Sequence, residues 1–498
     1  MSKADLDRAD NLIVSKRYRA ALDITKSLIR RPDSDPRAFA LHALALKALG
    51  RKEEALPIDR EAVRRFPQGR IGWHNLAATL GDLGKGDEAV QAVETAFRLG
   101  LDAPETWLVY ARALVAVGRL DEGEQAYRRL IKRRPGEVAW GLELANLVWM
   151  RTGDFTAGDT ILLEMSQMGA PPVPILLGRA DLARAAGRAD LAWDLMIQAL
   201  RIAPDNVQAL LATTQAAVEG QRLGDAEILI RQALGRAPAE PAVLNQAAIV
   251  DLALERPQQA LDKVRQGLLK DPNNQSLWAW ASVAARQVGD PLYDEICDYN
   301  TLVRVFDLPP PKGWPDLATF LTDLDQALSV QHKYQREPAN QSVRGGSQLS
   351  HFLKGSDDPA IKAAFELFTE AVNRFLTDLP AGTDPLRSRK AKTWRFQGAW
   401  SVLLRQGGSH ATHMHIEGWI SSVFYVATPA VSAGAPDKQG WLAIGEPPIM
   451  LSPPCPAVTY VEPRPGRLVL FPSYVWHGVI PFKTDDRRLT MAFDIVPT

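Results

Sequence analysis

Only two cysteines, Cys297 and Cys455, occur in 498 residues. That is too few for a disulfide framework and points to a reducing compartment. Charge of one sign is not in excess either, with Lys plus Arg and Asp plus Glu at 58 each. No global field therefore draws the chain to nucleic acid or to an anionic membrane. No apolar run approaches the ~20 residues that span a bilayer. The opening Met-Ser-Lys-Ala-Asp-Leu-Asp-Arg lacks the apolar core of a signal peptide. A cytoplasmic protein without membrane or nucleic-acid partners is expected, and the length implies two or three domains. Histidine is scarce as well, eight in all, yet His410, His413, His415 and His477 fall in one stretch.

The first 290 residues carry a period of about 34. Pro67, Pro135, Pro204, Pro238 and Pro272 are spaced by 68, 69, 34 and 34 residues. Ala55, Ala192, Ala226 and Ala260 stand twelve residues before four of them. Glycines recur at 50, 84, 118, 153 and 187. Small residues let two antiparallel helices approach, glycine supplies a left-handed turn, and proline stops the second helix. One such pair cannot bury its apolar face alone, so the units must stack. Units such as Trp73-His-Asn-Leu-Ala-Ala-Thr-Leu-Gly and Trp107-Leu-Val-Tyr-Ala-Arg-Ala-Leu resemble the tetratricopeptide repeat family, with about eight units over residues 4–272. That resemblance implies a superhelix whose groove binds a protein or peptide. Trp73, Trp107 and Tyr110 are read as inter-helix packing residues.

Beyond Asp290 the composition changes. Pro309-Pro-Pro-Lys-Gly-Trp-Pro315 cannot be helical and reads as a stiff connector. The expected division is a repeat superhelix at 1–290, a linker at 291–315 and a second domain at 316–498. Two amphipathic helices are expected at 315–331 and 358–379, the second started by Asp357 or Asp358 before Pro359. Between them lies the polar, glycine-rich loop Asn340–Gln348. Strands are expected at 393–405, 413–427, 440–445, 457–462, 467–471 and 488–495. Helices followed by short antiparallel strands suggest a jelly-roll core with bracing helices.

On an extended strand His413 and His415 point to one side, because side-chain direction repeats every second residue. His477, after a further strand and turn, closes a three-point metal set that leaves one face open, as an iron(II) oxygenase requires. Arg488 offers a planar fork that pairs both oxygens of a carboxylate. Thr490 shares its strand face, and Arg487 falls on the other.

Four blocks carry a second resemblance: Asn340-Gln-Ser-Val-Arg-Gly-Gly-Ser-Gln, His413-Met-His-Ile-Glu-Gly-Trp-Ile-Ser-Ser-Val-Phe-Tyr, Pro465-Gly-Arg-Leu-Val-Leu-Phe-Pro-Ser-Tyr-Val-Trp-His-Gly and Arg488-Leu-Thr-Met-Ala-Phe-Asp-Ile. Residues 340–498 are similar to bacterial 2-oxoglutarate- and Fe(II)-dependent oxygenases of the type fused to tetratricopeptide repeats. The resemblance implies a double-stranded β-helix, Fe(II) as metal, and 2-oxoglutarate and O2 as cosubstrates. It places the C5 carboxylate of 2-oxoglutarate at Arg488, where Thr490, on the same strand face, adds a hydroxyl. Tyr425 is a second candidate for that carboxylate or a core tyrosine, and Arg344 and Gln348 are substrate or cosubstrate contacts or part of a structural loop. The chain departs from the family's His-X-Asp/Glu pattern, since His415 stands where the carboxylate is expected. Two ligand sets stay open at this point: His413, His415 and His477, or His413, Glu417 and His477. Sets that include His410, which otherwise reads as a loop residue, and a site that holds no metal also remain. Two rival functions follow: an inactive scaffold for protein–protein interaction, and a three-histidine zinc enzyme. Trp400, Trp419 and Trp476 are read as pocket walls or core.

Overall fold

The computed structural model describes residues 3–339, 341–349 and 353–498. Asn340, at the head of the polar loop, lies outside the described residues. The chain resolves into two compact units, residues 3–140 with 353–357 and residues 141–349 with 358–498. Among the described residues no helix is long and apolar enough to cross a membrane.

The first unit consists of paired antiparallel helices, including Arg70–Asp82 with Gly86–Arg98 and Pro104–Ala116 with Leu120–Arg133. Gly84 and Gly118 turn the chain between partners at φ of 74° and 75°, a region that costs a side chain dearly. Ala77 and Ala111 are fully buried at the helix contacts. Trp107 packs on Phe97 and Tyr110, as expected of an inter-helix residue. The same pairing runs on through residues 141–288 of the second unit. Across the chain, the helices Lys52–Arg65, Leu120–Arg133, Ala189–Ile202, Leu223–Arg236 and Pro257–Lys270 each end two residues before one of the five periodic prolines. Proline has no N–H to extend the helix and forces its predecessor out of the helical region.

Among the described residues the second unit adds a curled antiparallel sheet of nine strands: β1 (Arg304–Asp307), β2 (Val343–Gln348), β3 (Trp394–His413), β4 (Ile420–Ala427), β5 (Leu442–Ile444), β6 (Thr459–Val461), β7 (Arg467–Pro472), β8 (His477–Val479) and β9 (Arg488–Pro497). Their order is β1-β7-β4-β9-β3-β8-β5-β6, with β2 also on β3. The two expected bracing helices form as Leu317–Ser329 and Pro359–Asp378. Asp358 caps the latter by accepting from the Ala360 and Ile361 amides. Phe365 and Phe368 of that helix pack on Phe396, Phe424 and Phe493 of the sheet.

Three features differ from the sequence pattern. Strand β3 runs through Gly407 and Gly408 to His413, and residues 414–419 form an irregular turn before β4. The expected single strand 413–427 is therefore divided. Close approach explains it: a Cβ on Gly418 would lie 2.2 Å from the Ser473 hydroxyl and 3.2 Å from the Asp494 carboxyl carbon. The glycine-rich loop forms strand β2, because Gly346 lets the Leu403 carbonyl come within 2.4 Å of where a Cβ would stand. Within 291–315, read as a linker, Tyr299 and Leu302 are buried and β1 pairs with β7.

One continuous apolar core joins the later repeat helices to the sheet. Trp280, on the helix Gln275–Val288, packs edge-on against Trp476 at 4.8 Å. The Trp476 indole donates to Ala279 O at 2.9 Å, and Tyr474 Oη donates to Ile296 O at 2.9 Å. The turn that leads into His477 is thus seated on the last repeat helix.

Candidate metal centre

His413 ends β3 and lies directly across the ladder from His477 on β8. His415 comes from the turn, where its amide donates to Ser473 O at 2.9 Å. One ligand atom from each of the three rings lies within 4.8 Å of the other two. Each ring's other nitrogen is already engaged. His413 Nδ1 is 2.9 Å from Ala411 O and His477 Nδ1 is 2.9 Å from Val475 O. A carbonyl only accepts, so both Nδ1 atoms carry the proton. His415 Nδ1 lies 2.6 Å from Asp494 Oδ1, which also accepts from Ser421 Oγ at 2.7 Å. Ser421 in turn meets Ser473 Oγ at 2.8 Å.

The Nε2 atoms of His413 and His415 lie only 3.4 Å apart. Burial lowers the His413 imidazole to about 3, with the neighbouring His415 pushing the same way. Burial likewise holds His477 and His410 well below the ordinary imidazole range. Imidazole nitrogens gathered this closely can share one cation, which draws on the lone pair of each. The donor set therefore fits a divalent transition metal, with each ligand's far N–H tied to a carbonyl or carboxylate.

Glu417 is exposed and meets Gln397 Nε2 at 3.5 Å, and the group of possible ligands does not include it. The strand alternation that aligned it with His413 stops in the turn, where Ile416 is also exposed. His410 stacks on His413 at 5.3 Å, and its Nδ1 lies 3.1 Å from Ser342 Oγ.

A second cluster lies on β9. Alternation puts Arg488, Thr490 and Asp494 on one face, and Phe493 and Ile495 on the other. Arg488 is 1% exposed, and its Nε and Nη2 have no hydrogen-bond partner. Its guanidinium carbon sits 5.0 Å from the Tyr425 ring centroid, and the buried Tyr425 hydroxyl is also without a partner. Burial lowers the Arg488 pKa and raises that of Tyr425, while each group opposes the shift of the other. Thr490 Oγ1, also buried, makes only a 3.5 Å contact to Val402 O. A buried cation and phenol with unused hydrogen-bonding capacity fit an incoming carboxylate. Arg487, by contrast, is exposed and paired with both oxygens of Asp325. Arg344 is spent on the Gln341 and Val343 carbonyls of its own loop, and Gln348 is half-buried opposite Val402 on β3.

A model of the family described as Putative 2OG-Fe(II) oxygenase matches residues 398–494. That interval contains the three histidines, Tyr425, Arg488, Thr490 and Asp494. A tetratricopeptide repeat model matches 74–157 and 177–241. The chain joins tetratricopeptide repeats to a 2OG-Fe(II) oxygenase-family domain. No curated protein matches it. Among solved structures it is similar to the Cut9–Hcn1 hetero-tetramer of APC/C, at 18% identity and a TM-score of 0.31, covering 56% of this chain and 55% of that one. The chain thus spans about half the length of that relative. A tetratricopeptide repeat protein from Parabacteroides merdae aligns at 13% identity and a TM-score of 0.36, covering 50% and 98%. MamA from Desulfovibrio magneticus aligns at 16% and 0.31, covering 33% and 93%.

The sequence reading missed Asp494, Ser421 and Ser473. The signal for Asp494 was present, since it lies four residues beyond Thr490 on the same face of β9. Its contact with His415 gives a direct prediction. Asp494→Ala should lower metal affinity about 10–100-fold, the usual cost of losing a hydrogen-bond partner behind a ligand. Unchanged affinity in a metal titration would mean that Asp494 does not orient His415.

Proposed function

We propose that the C-terminal domain is an Fe(II)- and 2-oxoglutarate-dependent oxygenase that hydroxylates a C–H bond, and that the repeats hold its polypeptide substrate or partner. The buried Arg488 guanidinium, whose Nε and Nη2 have no hydrogen-bond partner, carries this reading. An unpartnered charge inside a fold costs stability, and the cost is offset when an anion fills the site. A zinc hydrolase needs no such anchor, and a scaffold that had lost catalysis would gain by replacing it.

When bound, iron with 2-oxoglutarate and oxygen supplies the oxidising chemistry, with succinate and carbon dioxide as coproducts. The chain's own residues do the rest. His413, His415 and His477 would hold the metal through three imidazole nitrogens. Asp494 and Ser421 fix the His415 ring, and the two backbone carbonyls fix the others. Arg488 would take the far carboxylate of 2-oxoglutarate in a charge-assisted pair, with Tyr425 and Thr490 supplying hydroxyls. Gly418 and the seat of Trp476 on the last repeat helix hold the surrounding turns. Full-length protein incubated with Fe(II), 2-oxoglutarate and host lysate should produce succinate together with +16 Da polypeptides by mass spectrometry. Zinc-supported hydrolysis without 2-oxoglutarate consumption would favour the hydrolase, and no turnover with either metal would favour the scaffold.

A further inference from the structure

Residues 334–339, Tyr-Gln-Arg-Glu-Pro-Ala, contain no helix or strand, yet they are fastened to one face of the helix Val138–Thr152. The Gln335 and Arg336 amides both donate to Met150 O, at 2.8 and 3.0 Å. That carbonyl belongs to the last turn of the helix, where no intrahelical partner remains. The Trp149 indole donates to Glu337 O at 3.0 Å, and Asn146 Oδ1 accepts from the Ala339 amide at 2.9 Å. Asn146, Trp149 and Met150 are three and four residues apart, the spacing of a single helix face.

The hydrogen bonds fall on the main chain of the segment, which any extended polypeptide offers; Arg336 adds a contact over the Trp149 ring at 5.9 Å, while the fit of Glu337 is imperfect. Glu337 is 8% exposed, and its Oε2 is buried with no hydrogen-bond partner. A buried, unpaired carboxylate oxygen costs free energy that an uncharged side chain at this position would not. The segment also leads towards the metal centre. Past Ala339 it continues into β2, where Val343 and Arg344 pair with His410 and Ser409 on the strand that ends at His413.

We propose that the Asn146–Trp149–Met150 face is a peptide-binding surface held in the resting chain by residues 334–339. An extended peptide with an uncharged side chain at the Glu337 position displaces this strap and frees β2 beside His410. The proposal rests on the reading of the repeats as a polypeptide-binding array, and it names the face and its internal competitor.

The test uses the full chain and a fluorescent synthetic peptide of residues 333–339 carrying Glu337→Leu. Ala339→Pro in the chain removes the amide that Asn146 accepts. It should tighten peptide binding by about tenfold or more, because apparent affinity scales with the fraction of chains whose face is free. Adding Asn146→Ala and Trp149→Phe should abolish the gain, and the parent peptide with Glu337 should bind more weakly. Equal binding by wild type and Ala339→Pro, or binding indifferent to Asn146 and Trp149, overturns the proposal. Should the Ala339→Pro chain not fold, amide exchange in wild type decides. Excess peptide should speed exchange at Gln335, Arg336 and Ala339, and unchanged exchange overturns the proposal. Substrate oxidation in lysate that persists after such a failure would leave the broader reading of the repeats standing.

Discussion

The His477→Ala protein is expected to be folded and to bind no iron. His477 occupies β8, and its part in the sheet is made through backbone pairs with His413 and Ile444, which alanine keeps. What alanine removes is one of three imidazole donors. Among the described residues no carboxylate joins the cluster to make up the loss, since Asp494 is bound to the far side of His415. The fall in affinity should exceed the roughly 10–100-fold that follows loss of a partner behind a ligand. Iron content by elemental analysis, with circular dichroism as the folding control, checks it. Normal iron in this variant would remove His477 from the site.

Arg488→Ala should leave iron binding intact and weaken 2-oxoglutarate binding strongly. Breaking a buried, hydrogen-bonded charge pair costs on the order of 2–5 kcal/mol, or roughly thirty- to several-thousand-fold in affinity. The free protein should respond in the opposite sense. Arg488 holds unpaired nitrogens in the interior, so Arg488→Met, which fills similar space without charge, should raise the melting temperature of the ligand-free protein. A rise in stability together with lost cosubstrate binding separates a ligand anchor from a structural arginine. Arg487→Ala should do little to binding, because its guanidinium is committed to Asp325 at the surface. Calorimetric titration of 2-oxoglutarate into the iron-loaded variants distinguishes the two arginines.

The repeat helices were legible because proline and glycine act locally, and their spacing marks helix ends without knowledge of the packing. The same holds for β9, where simple alternation separates Arg488 and Thr490 from Arg487. The turn at 414–419 was not legible. Its residues alternate like a strand, and only the crowding of Gly418 against Ser473 and Asp494, 55 and 76 residues away, breaks it. Strand β2 hides behind glycines that ordinarily mark loops but here admit the Leu403 carbonyl. The seat of Trp476 on Ala279 and Trp280 joins residues almost two hundred apart, a distance no periodicity spans. Such contacts follow from tertiary packing, which outranks local preference.

The family's usual carboxylate ligand is absent from the position of His415, and Asp494 approaches this histidine from behind. The all-histidine face is accordingly the point to test. Anaerobic Fe(II) titrations of wild type, His415→Ala and Glu417→Gln, run side by side with 2-oxoglutarate present, compare the two ligand sets in one measurement. One iron per chain is expected for wild type and for Glu417→Gln, and none for His415→Ala. Iron retained by His415→Ala and lost by Glu417→Gln would contradict the three-histidine centre.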